Sequence, residues 1–417
     1  MYIKTRGTCR VCGSNKLVPI LSLGEQFITN FVEDPNKDYL KGPLELVLCN
    51  VKDGGCGLLQ LKHTVERDIL YKKYWYKSGI STTMVKALTD IVSSAERLVK
   101  LSPGNLVVDI GSNDGTLLRQ FKTPGLITVG FEPSNLWKLG IEGTSRIIND
   151  YFNFEAFKKE FRDKKAKLMT SIAMFYDLED PNTFAEDVKK CLDKDGVWII
   201  QMNYLGLMLE NNTFDNICHE HLEYYSLLSL QNLLNRHDME AFDVELNDLN
   251  GGSFRIYIRH KGGNIKSFSG AEERLRKLKA YEEKMGFDNI RAYDEFAKRI
   301  EKTKSDFMDF LNQEVRKGKK IFIYGASTRG LVVLQYFGVD KELIKAAVDK
   351  NPDKWGKYIV GTGIPIMSVE EYRKEKPDYL FVLPYHFIEE IKNQERDFIE
   401  NGGKFIVPLP KFRLIGE

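Results

Sequence analysis

The stretch Asn105–Phe121, NLVVDIGSNDGTLLRQF, predicts a buried β-strand that runs into a glycine-bounded turn and then an amphipathic helix. Asp109 closes the strand, and Gly111 and Gly115 bound the turn, where the lack of a Cβ lets backbone and ligand approach closely. The next apolar segment along the chain ends in Glu132. An acid at the tip of a second strand can accept hydrogen bonds from both hydroxyls of a ribose. The pair of strands therefore predicts a nucleoside-binding site.

This pairing resembles the donor site of class I S-adenosylmethionine-dependent methyltransferases. The resemblance implies that backbone N–H groups after the strand face the methionine carboxylate, together with the positive end of a helix that begins near Thr116. NAD is the main alternative, but its G-x-G-x-x-G motif needs a middle glycine that this spacing lacks, and a turn without any ligand is the other alternative. The predicted cofactor-binding residues are Asp109, Gly111, Ser112, Asn113 and Glu132.

Composition and charge limit the possible partners. The chain has 417 residues, 42% of them hydrophobic, and carries 61 basic against 59 acidic side chains. A net charge of +2 gives no drive toward nucleic acid or an anionic membrane, and no apolar run approaches the ~20 residues that span a bilayer. Because the N-terminus also shows no apolar signal region, we expect a cytoplasmic protein with a small-molecule substrate. The oligomeric state stays open.

The chain divides into four predicted regions. Residues 1–75 hold clustered cysteines, and residues 76–265 alternate strand and helix signals, as expected of a mostly parallel sheet. Residues 266–318 are charged, with apolar residues at helical spacing, and predict a helical linker. Residues 319–417 restart an α/β pattern. The predicted fold class is α/β, with a Rossmann-like central domain flanked by a cysteine-rich domain and a second Rossmann-like domain.

Two pairs of cysteines predict a structural zinc site. They follow the pattern Cys9-x2-Cys12 and Cys49-x6-Cys56, and two short-spaced pairs can supply four thiolates in a tetrahedron. Four protein ligands leave no open position for a substrate, so the zinc ion would serve folding. The alternative is that the cysteines are buried without a metal.

Three titratable residues follow the fourth predicted strand of the central region, in His219-Glu220-His221. The carboxyl ends of parallel strands face the ligand crevice, and a neutral imidazole there can remove a proton near pH 7 while a carboxylate orients it. A second metal site and a hydrogen-bonded structural cluster are the two alternatives.

The C-terminal region has a glycine-bounded turn of its own, GASTRG at Gly325–Gly330, followed by an acid at the end of the next strand. Such a turn can bind a phosphate or a nucleotide ribose through backbone N–H groups and polar side chains. The alternative is a turn with a purely structural role. The residues predicted to bind here are Ser327, Thr328, Arg329 and Asp349.

Taken together, the chain resembles the sugar C-methyltransferases that make branched-chain deoxysugars. The resemblance covers nearly all of the chain and rests on CRVCG, GLLQL, YWYKSGIS, DIGSNDGTLL, GFEPS, HEHLEYYS, GGSFRIYI, GASTRG and LPYHF. It implies an N-terminal zinc-binding domain, a central class I methyltransferase domain and a C-terminal Rossmann-like domain that binds the nucleotide sugar.

The resemblance also implies a reaction. A base removes the C3 proton of a nucleotide-linked 4-keto-deoxysugar, and the enolate attacks the sulfonium methyl of S-adenosylmethionine. By this resemblance His221 is the base and Glu220 its partner. The other residues implied to hold the sugar and its enolate are His219, Tyr76 and Tyr224.

Two departures from the family pattern concern the acceptor. Members that act on C3 commonly have Tyr where this chain has Cys218, and a His within the segment that here reads Ala173–Asp177, AMFYD. Tyr176 or Asp177 can take the place of that His. The alternatives are therefore an O- or N-methyltransferase acting on a sugar nucleotide or glycan precursor, and a non-enzymatic zinc-dependent binding module. The balanced charge argues against nucleic acid as the ligand of such a module.

Overall fold

The computed structural model describes residues 2–28 and 30–416. The strands of its N-terminal region pair in antiparallel fashion. Five of its six strands form two sheets: β2, β4 and β5 lie in one, and β1 pairs with β6. The sequence predicts strands at Leu44–Cys49 and Gly57–Leu61, and the structure confirms them as β4 and β5. The bounds are β1 (Ile3–Thr5), β2 (Leu17–Phe27), β3 (Phe31–Val32), β4 (Lys41–Cys49), β5 (Leu59–Leu61) and β6 (His63–Val65).

The central region is a seven-stranded sheet covered by helices on both faces. Its helices are α1 (Arg67–Tyr71), α2 (Thr82–Leu98), α3 (Trp137–Gly140), α4 (Phe154–Phe161), α5 (Pro181–Cys191), α6 (Leu205–Glu210) and α7 (Leu227–Arg236). Its strands are β7 (Leu106–Ile110), β8 (Ile127–Phe131), β9 (Arg146–Ile148), β10 (Ala166–Ile172), β11 (Leu192–Asn203), β13 (Met239–Asn247) and β14 (Ser253–His260). The sheet order is β13-β14-β11-β10-β7-β8-β9, and β14 runs antiparallel to both of its neighbours. Apolar runs predict four buried strands, at Leu106–Ile110, Ile127–Phe131, Lys167–Ile172 and Gly196–Met202, which the structure confirms as β7, β8, β10 and β11. Strand β7 lies inside the sheet, between β10 and β8.

We call the turn at Gly111–Gly115, which follows β7, the donor turn. The prediction of an α-helix after it is wrong. The turn is followed only by one 3-10 turn, Leu118–Gln120. The Asp114 carboxylate accepts hydrogen bonds from the N–H and the hydroxyl of Thr116 and so tightens the turn locally. Pro124 then disfavours helical backbone in the residue before it, which leaves too few residues for an α-helix. The residues that follow the turn therefore supply no α-helix end whose dipole could act on it.

The C-terminal region restarts with a second, mostly parallel sheet. Two long helices, α8 (Ala271–Met285) and α9 (Ile290–Arg316), lead into it. The sheet order is β18-β16-β15-β19-β20-β21, and β21 alone in it runs antiparallel to its neighbour. Its elements are β15 (Ile321–Tyr324), α10 (Thr328–Phe337), β16 (Ala347–Val348), β17 (Tyr358–Ile359), β18 (Ile366–Met367), α11 (Val369–Glu375), β19 (Tyr379–Val382), α12 (Ile388–Gln394), α13 (Arg396–Glu400), β20 (Lys404–Val407) and β21 (Arg413–Ile415).

Contacts between the regions tie them together. The short strand β12 (Glu223–Tyr224) leaves the central region and pairs with β5 of the N-terminal sheet, and β17 of the C-terminal region pairs with β3. On α8, the buried Glu282 carboxylate accepts the N–H groups of Leu227 and Leu228 and thereby caps α7. The helical segment thus packs on the central region, while the bounds of the four predicted regions stay a prediction. None of the helices in the described ranges combines the length and apolar character that a bilayer crossing requires.

Candidate active site

A large cavity opens among the three regions, with a volume of ≈ 1090 Å³. This is beyond the upper end of what a single drug-sized ligand usually occupies, so it has room for two small molecules. The structure brings most of the predicted site residues to its wall and leaves His219 and Tyr224 off it. Those on the wall are Tyr76, Asp109, Gly111, Ser112, Asn113, Glu132, Glu220, His221, Ser327, Thr328, Arg329 and Asp349.

The Glu132 carboxylate organises the turn after β7. Its Oε2 accepts the Asn113 N–H at 2.7 Å, and its Oε1 accepts the Ser134 N–H at 2.8 Å. Each carboxylate oxygen has two lone pairs, so one on each oxygen stays available for the two hydroxyls of a ribose. Gly111 and Asn113 both adopt left-handed backbone, with φ of 72° and 52°, which brings the turn back toward the cavity.

Asp109 and Ser112 complete the donor side of the cavity. Asp109 Oδ1 accepts the hydroxyl of Thr170 at 2.6 Å, and burial, opposed by that hydrogen bond and aided by the charge of Glu132, raises the pKa of Asp109 to about 7. Ser112 Oγ is buried without a hydrogen-bond partner among the described residues, as expected of a group that awaits a ligand. Gly130 was not predicted, yet a Cβ there would lie 2.3 Å from Ser112 Oγ, so glycine is required for this close approach.

A strap formed by residues 74–79 crosses the donor turn and is bonded to it. Asn113 Oδ1 accepts the Ser78 N–H at 3.0 Å, its Nδ2 donates to the Tyr76 carbonyl at 3.0 Å, and Asp114 accepts the Gly79 N–H at 2.8 Å. Tyr76 is 41% exposed and lies at the cavity wall. The predicted sugar-binding Tyr76 is thus positioned by the donor turn itself, a link between distant residues that the sequence did not show.

His221 is held as a neutral imidazole with a defined tautomer. Its Nδ1 lies 2.8 Å from the Asn216 carbonyl, which can only accept, so Nδ1 carries the proton and Nε2 keeps its lone pair. Burial, and next the charge of Arg329, lowers the pKa of His221 to about 3. The ring lies against that of Tyr176, with 4.3 Å between centroids. A neutral imidazole with a free lone pair on a cavity wall can accept a proton from a ligand.

The other predicted members of this motif have different surroundings. The His221 N–H donates to the Cys218 carbonyl at 3.1 Å, and this turn sends the two imidazoles to different sides. His219 Nε2 consequently lies 3.0 Å from the Gly42 carbonyl on β4, and burial lowers the pKa of His219 to about 4. Burial also raises the pKa of Glu220, against hydrogen bonds that include those from Cys218 and Asn30. The Asn216 carbonyl, rather than the Glu220 carboxylate, therefore orients His221.

Tyr224 also lies behind the wall rather than on it. Its hydroxyl donates to the Asn216 carbonyl at 3.3 Å, the same carbonyl that receives the His221 Nδ1 proton. It borders a small void of ≈ 10 Å³ that adjoins His221. Tyr224 thus positions the imidazole through a shared acceptor.

In the C-terminal turn, most predicted binding side chains already have partners. Ser327 Oγ accepts the Gly330 N–H at 3.1 Å and caps α10. Arg329 forms an ion pair with the buried Asp215 at 2.7 Å, and Asp349 forms one with Lys354 at 3.0 Å. What remains for a ligand is Thr328, the buried Nε of Arg329, which has no hydrogen-bond partner among the described residues, and the positive N-terminal end of α10.

His386 is a wall residue that the sequence reading did not single out, although it lies within the LPYHF stretch. Its Nδ1 is buried and has no hydrogen-bond partner among the described residues. Burial and the charge of Arg329 lower the pKa of His386 well below its usual range. It is therefore a neutral imidazole that the C-terminal region contributes to the cavity wall.

The four N-terminal cysteines converge as a metal site requires. Their sulfur atoms all lie within 4.8 Å of one another, with Cys9–Cys56 at 3.5 Å and Cys12–Cys49 at 3.4 Å. A tetrahedral zinc ion with bonds of about 2.3 Å needs sulfurs about 3.8 Å apart, so the four residues fit it. Hydrogen bonds from Cys56 and Cys9 lower the pKa of Cys49 to about 2, while the hydrogen bond to Cys49 raises the pKa of both Cys9 and Cys56.

Three family models cover most of the chain. A zinc binding domain model matches residues 9–71, a methyltransferase domain model matches residues 86–243, and a C-methyltransferase C-terminal domain model matches residues 248–410. The C-methyltransferase NovU of Streptomyces niveus is 31% identical over 412 residues, which cover 98% of this chain and 96% of that protein. This chain belongs to the C-methyltransferase family. It is a methyltransferase, and its family, sheet order and donor turn confirm the class I fold and S-adenosylmethionine as cofactor. The zinc prediction is confirmed by the first model and the sulfur cluster.

Solved structures resemble this C-methyltransferase more distantly. A methyltransferase from Clostridium acetobutylicum is 13% identical, with 43% of this chain and 92% of that chain covered and a TM-score of 0.33. The magnesium protoporphyrin IX methyltransferase of Synechocystis is 10% identical, with 43% and 79% covered and a TM-score of 0.32. Likenesses this weak add nothing to the family assignment.

Proposed function

We propose that this C-methyltransferase methylates the carbon next to the ketone of a nucleotide-linked deoxysugar, with His221 as the general base. The observation that carries the proposal is the neutral imidazole whose Nε2 lone pair shares one cavity with the donor turn. A carbon becomes a nucleophile only after it loses a proton, and a fixed neutral imidazole is suited to remove it.

Each residue has a separate role in the proposed reaction. Glu132, with the turn at Gly111–Asn113, would hold the nucleoside of S-adenosylmethionine, which supplies a methyl group on a positively charged sulfur. His221 Nε2 takes the proton from the acceptor carbon, while the Asn216 carbonyl keeps Nδ1 protonated and the ring in place. Tyr76, held at the wall by its backbone bond to Asn113, closes the site over the acceptor.

The C-terminal turn is the proposed place for the nucleotide diphosphate. Thr328 and the first N–H groups of α10 lie on the wall, and α10 has ten residues whose dipole favours an anion at this end. Asp215 already neutralises Arg329, so we propose that Arg329 shapes the turn and that the helix end supplies most of the attraction.

The test is incubation with labelled S-adenosylmethionine and a nucleotide-linked 4-keto-deoxysugar, followed by NMR of the product. Label in a methyl group on carbon is the expected result. An O–CH₃ or N–CH₃ product would instead support the alternative acceptor, which the family assignment disfavours. Absence of labelled sugar would contradict the proposal as a whole.

Substitution of His221 tests its role. His221→Ala should lower turnover by about 10²–10⁴-fold, because the general base is lost while the donor turn is untouched. The matched control is His219→Gln, which keeps a donor for the Gly42 carbonyl and lies off the cavity wall, and which should retain most of the turnover. Comparable losses in both variants would remove the special role of His221.

A further inference from the structure

Asp177 is a carboxyl group on the cavity wall that none of the roles above uses. It lies just beyond the carboxyl end of β10, in a 3-10 turn at Phe175–Asp177. Its Oδ1 is buried and has no hydrogen-bond partner among the residues that the structure describes. A buried polar atom without a partner is costly, which points to a ligand that completes it.

The backbone places Asp177 beside the general base. The Leu222 N–H donates to the Tyr176 carbonyl at 2.8 Å, so the two chain segments lie side by side. His221 precedes Leu222 and Asp177 follows Tyr176, so both belong to these adjoining segments. The rings of Tyr176 and His221 lie against each other, and both Asp177 and His221 border the same cavity. The imidazole and this carboxyl group therefore come from adjoining segments and border the same cavity.

The surroundings of Asp177 favour its neutral form. Burial, then the charges of Glu220 and Glu223, raise the pKa of Asp177 well above its usual range. Cations act on the neighbouring groups: Arg329, which is paired with Asp215, acts on Tyr176, and Arg10, which is paired with Glu179, acts on Glu223 and Tyr224. The titratable groups that face Asp177 are Tyr71, Tyr74, Tyr176, Cys218, Glu220, Glu223 and Tyr224. A carboxylic acid in such a place is an O–H donor, as it is in enzymes that stabilise enolates in apolar sites.

We infer that Asp177 is a catalytic residue that donates a hydrogen bond from its carboxylic acid to the ketone oxygen of the acceptor while His221 removes the neighbouring proton. The inference rests on the proposed function, since it assigns the other half of the same enolisation. The AMFYD segment contains no His, and under this inference the neutral carboxylic acid of Asp177 supplies the hydrogen-bond donor in its place.

The step balances with these two residues. The C–H proton moves to Nε2 of His221, the C–H electron pair forms a carbon–carbon double bond, and the carbonyl π pair moves onto oxygen. This enolate oxygen accepts the hydrogen bond that the Asp177 O–H donates. The double-bond pair then forms the new bond to the methyl carbon as the methyl–sulfur bond breaks and the ketone returns. The sulfonium charge is lost with the methyl group, and the proton on His221 passes to water.

The closing experiment measures enolisation separately from methyl transfer. The acceptor, a nucleotide-linked 4-keto-deoxysugar, is incubated in D₂O with S-adenosylhomocysteine, and NMR follows exchange of its α-proton for deuterium. Asp177→Leu should slow exchange and methylation by about 10²–10³-fold, the usual cost of removing one oxyanion donor. Asp177→Asn should keep most of the rate, since its amide N–H still donates a hydrogen bond. Where the wild-type rate falls with rising pH because Asp177 ionises, the rate of Asp177→Asn should stay constant. Asp163→Leu, an exposed acid, serves as the control.

The possible outcomes distinguish the role of Asp177 from the proposed function. Exchange in Asp177→Leu at the wild-type rate would overturn the role of Asp177, as would a loss in Asp177→Asn as deep as in Asp177→Leu, which would make the carboxylate a base. A wild type that neither exchanges nor methylates the keto sugar would overturn the proposed function and this inference with it. Unchanged melting temperature and S-adenosylhomocysteine affinity show that each variant is folded.

Discussion

The turn after β7 and the turn after β15 look alike in sequence but use their polar groups differently. Both follow a buried central strand, both begin with a glycine at positive φ, and both precede a strand with an acid near its end. In the first turn, Glu132 keeps lone pairs free toward the cavity. In the second, Asp349 is paired with Lys354 and Arg329 with Asp215.

The helices after the two turns differ as well. The donor turn leads only into a 3-10 turn, whereas the C-terminal turn starts a full α-helix capped by Ser327. The first turn would bind its ligand with a carboxylate and backbone groups, and the second with a helix end. A shared strand–turn pattern thus predicts the path of the backbone, while the chemistry depends on which side chains are already used.

The largest effect that this comparison predicts is on stability. Arg329→Met leaves the buried Asp215 without its counter-charge and should cost about 3–5 kcal/mol. The matched change at the donor turn is Arg119→Met, whose partly exposed guanidinium lies 4.0 Å from Asp114 and should cost about 0–1 kcal/mol. Chemical denaturation measures both. Equal costs would show that the two turns do not differ in this way.

The next effect is on donor binding. Glu132→Ala removes a charged acceptor and should weaken binding of S-adenosylhomocysteine by about 1.5–3 kcal/mol, which calorimetry measures as roughly a 10- to 100-fold loss. Asp349→Ala, the corresponding acid after the second turn, should leave that affinity unchanged because its carboxylate is held by Lys354. A similar loss of affinity in both variants would show that both turns contribute to binding of the donor.

A smaller effect concerns the first glycine of each turn. A Cβ at Gly325 would lie 2.6 Å from the Pro384 ring, which cannot move aside, whereas one at Gly111 would meet the flexible Met174 side chain at 3.1 Å. Both positions have positive φ, so both alanine variants carry about 1–2 kcal/mol of backbone strain. Gly325→Ala should have the lower melting temperature, and the reverse order would contradict this packing.

The smallest effect is electrostatic. The charge of Arg329 helps to lower the pKa of His221 to about 3, so Arg329→Gln should raise that pKa, because a positive neighbour no longer opposes protonation. The acid limb of the rate profile should then move to higher pH, since protonated His221 cannot accept a proton. NMR titration of the imidazole measures the shift. His219 is the internal control, because Arg329 is not among the causes that lower its pKa to about 4.

Local patterns predicted the backbone well, and long-range partners account for what they missed. The strands β7, β8, β10 and β11 followed from apolar runs, since burial on both faces dictates such runs. The helix predicted at Thr116 failed because of two neighbours, Asp114 and Pro124. The tie between Arg329 and Asp215 joins residues 114 positions apart, so no spacing rule could indicate it.

The histidine motif shows the same division. His219 and His221 would lie on one side of an extended segment, but the turn at Cys218 separates them, and Gly42 on β4 receives His219. Glu220 was predicted to orient the base, yet the orienting group is a main-chain carbonyl, which leaves no trace in residue types. The four cysteines were predictable because metal ligands impose residue type and spacing together.

The pairing of β12 with β5 has a consequence for how this chain can be rearranged. Glu223 and Tyr224 begin two residues after His221, and their backbone pairs with the cysteine-rich sheet rather than with the central one. The His221 imidazole is therefore bonded to the central region, while the strand that follows it is bonded to the N-terminal one. Such a chain is not a row of exchangeable modules: we expect a central region excised at residue 76, or grafted behind a foreign N-terminus, to keep its donor turn and to lose the position of His221, the proposed base.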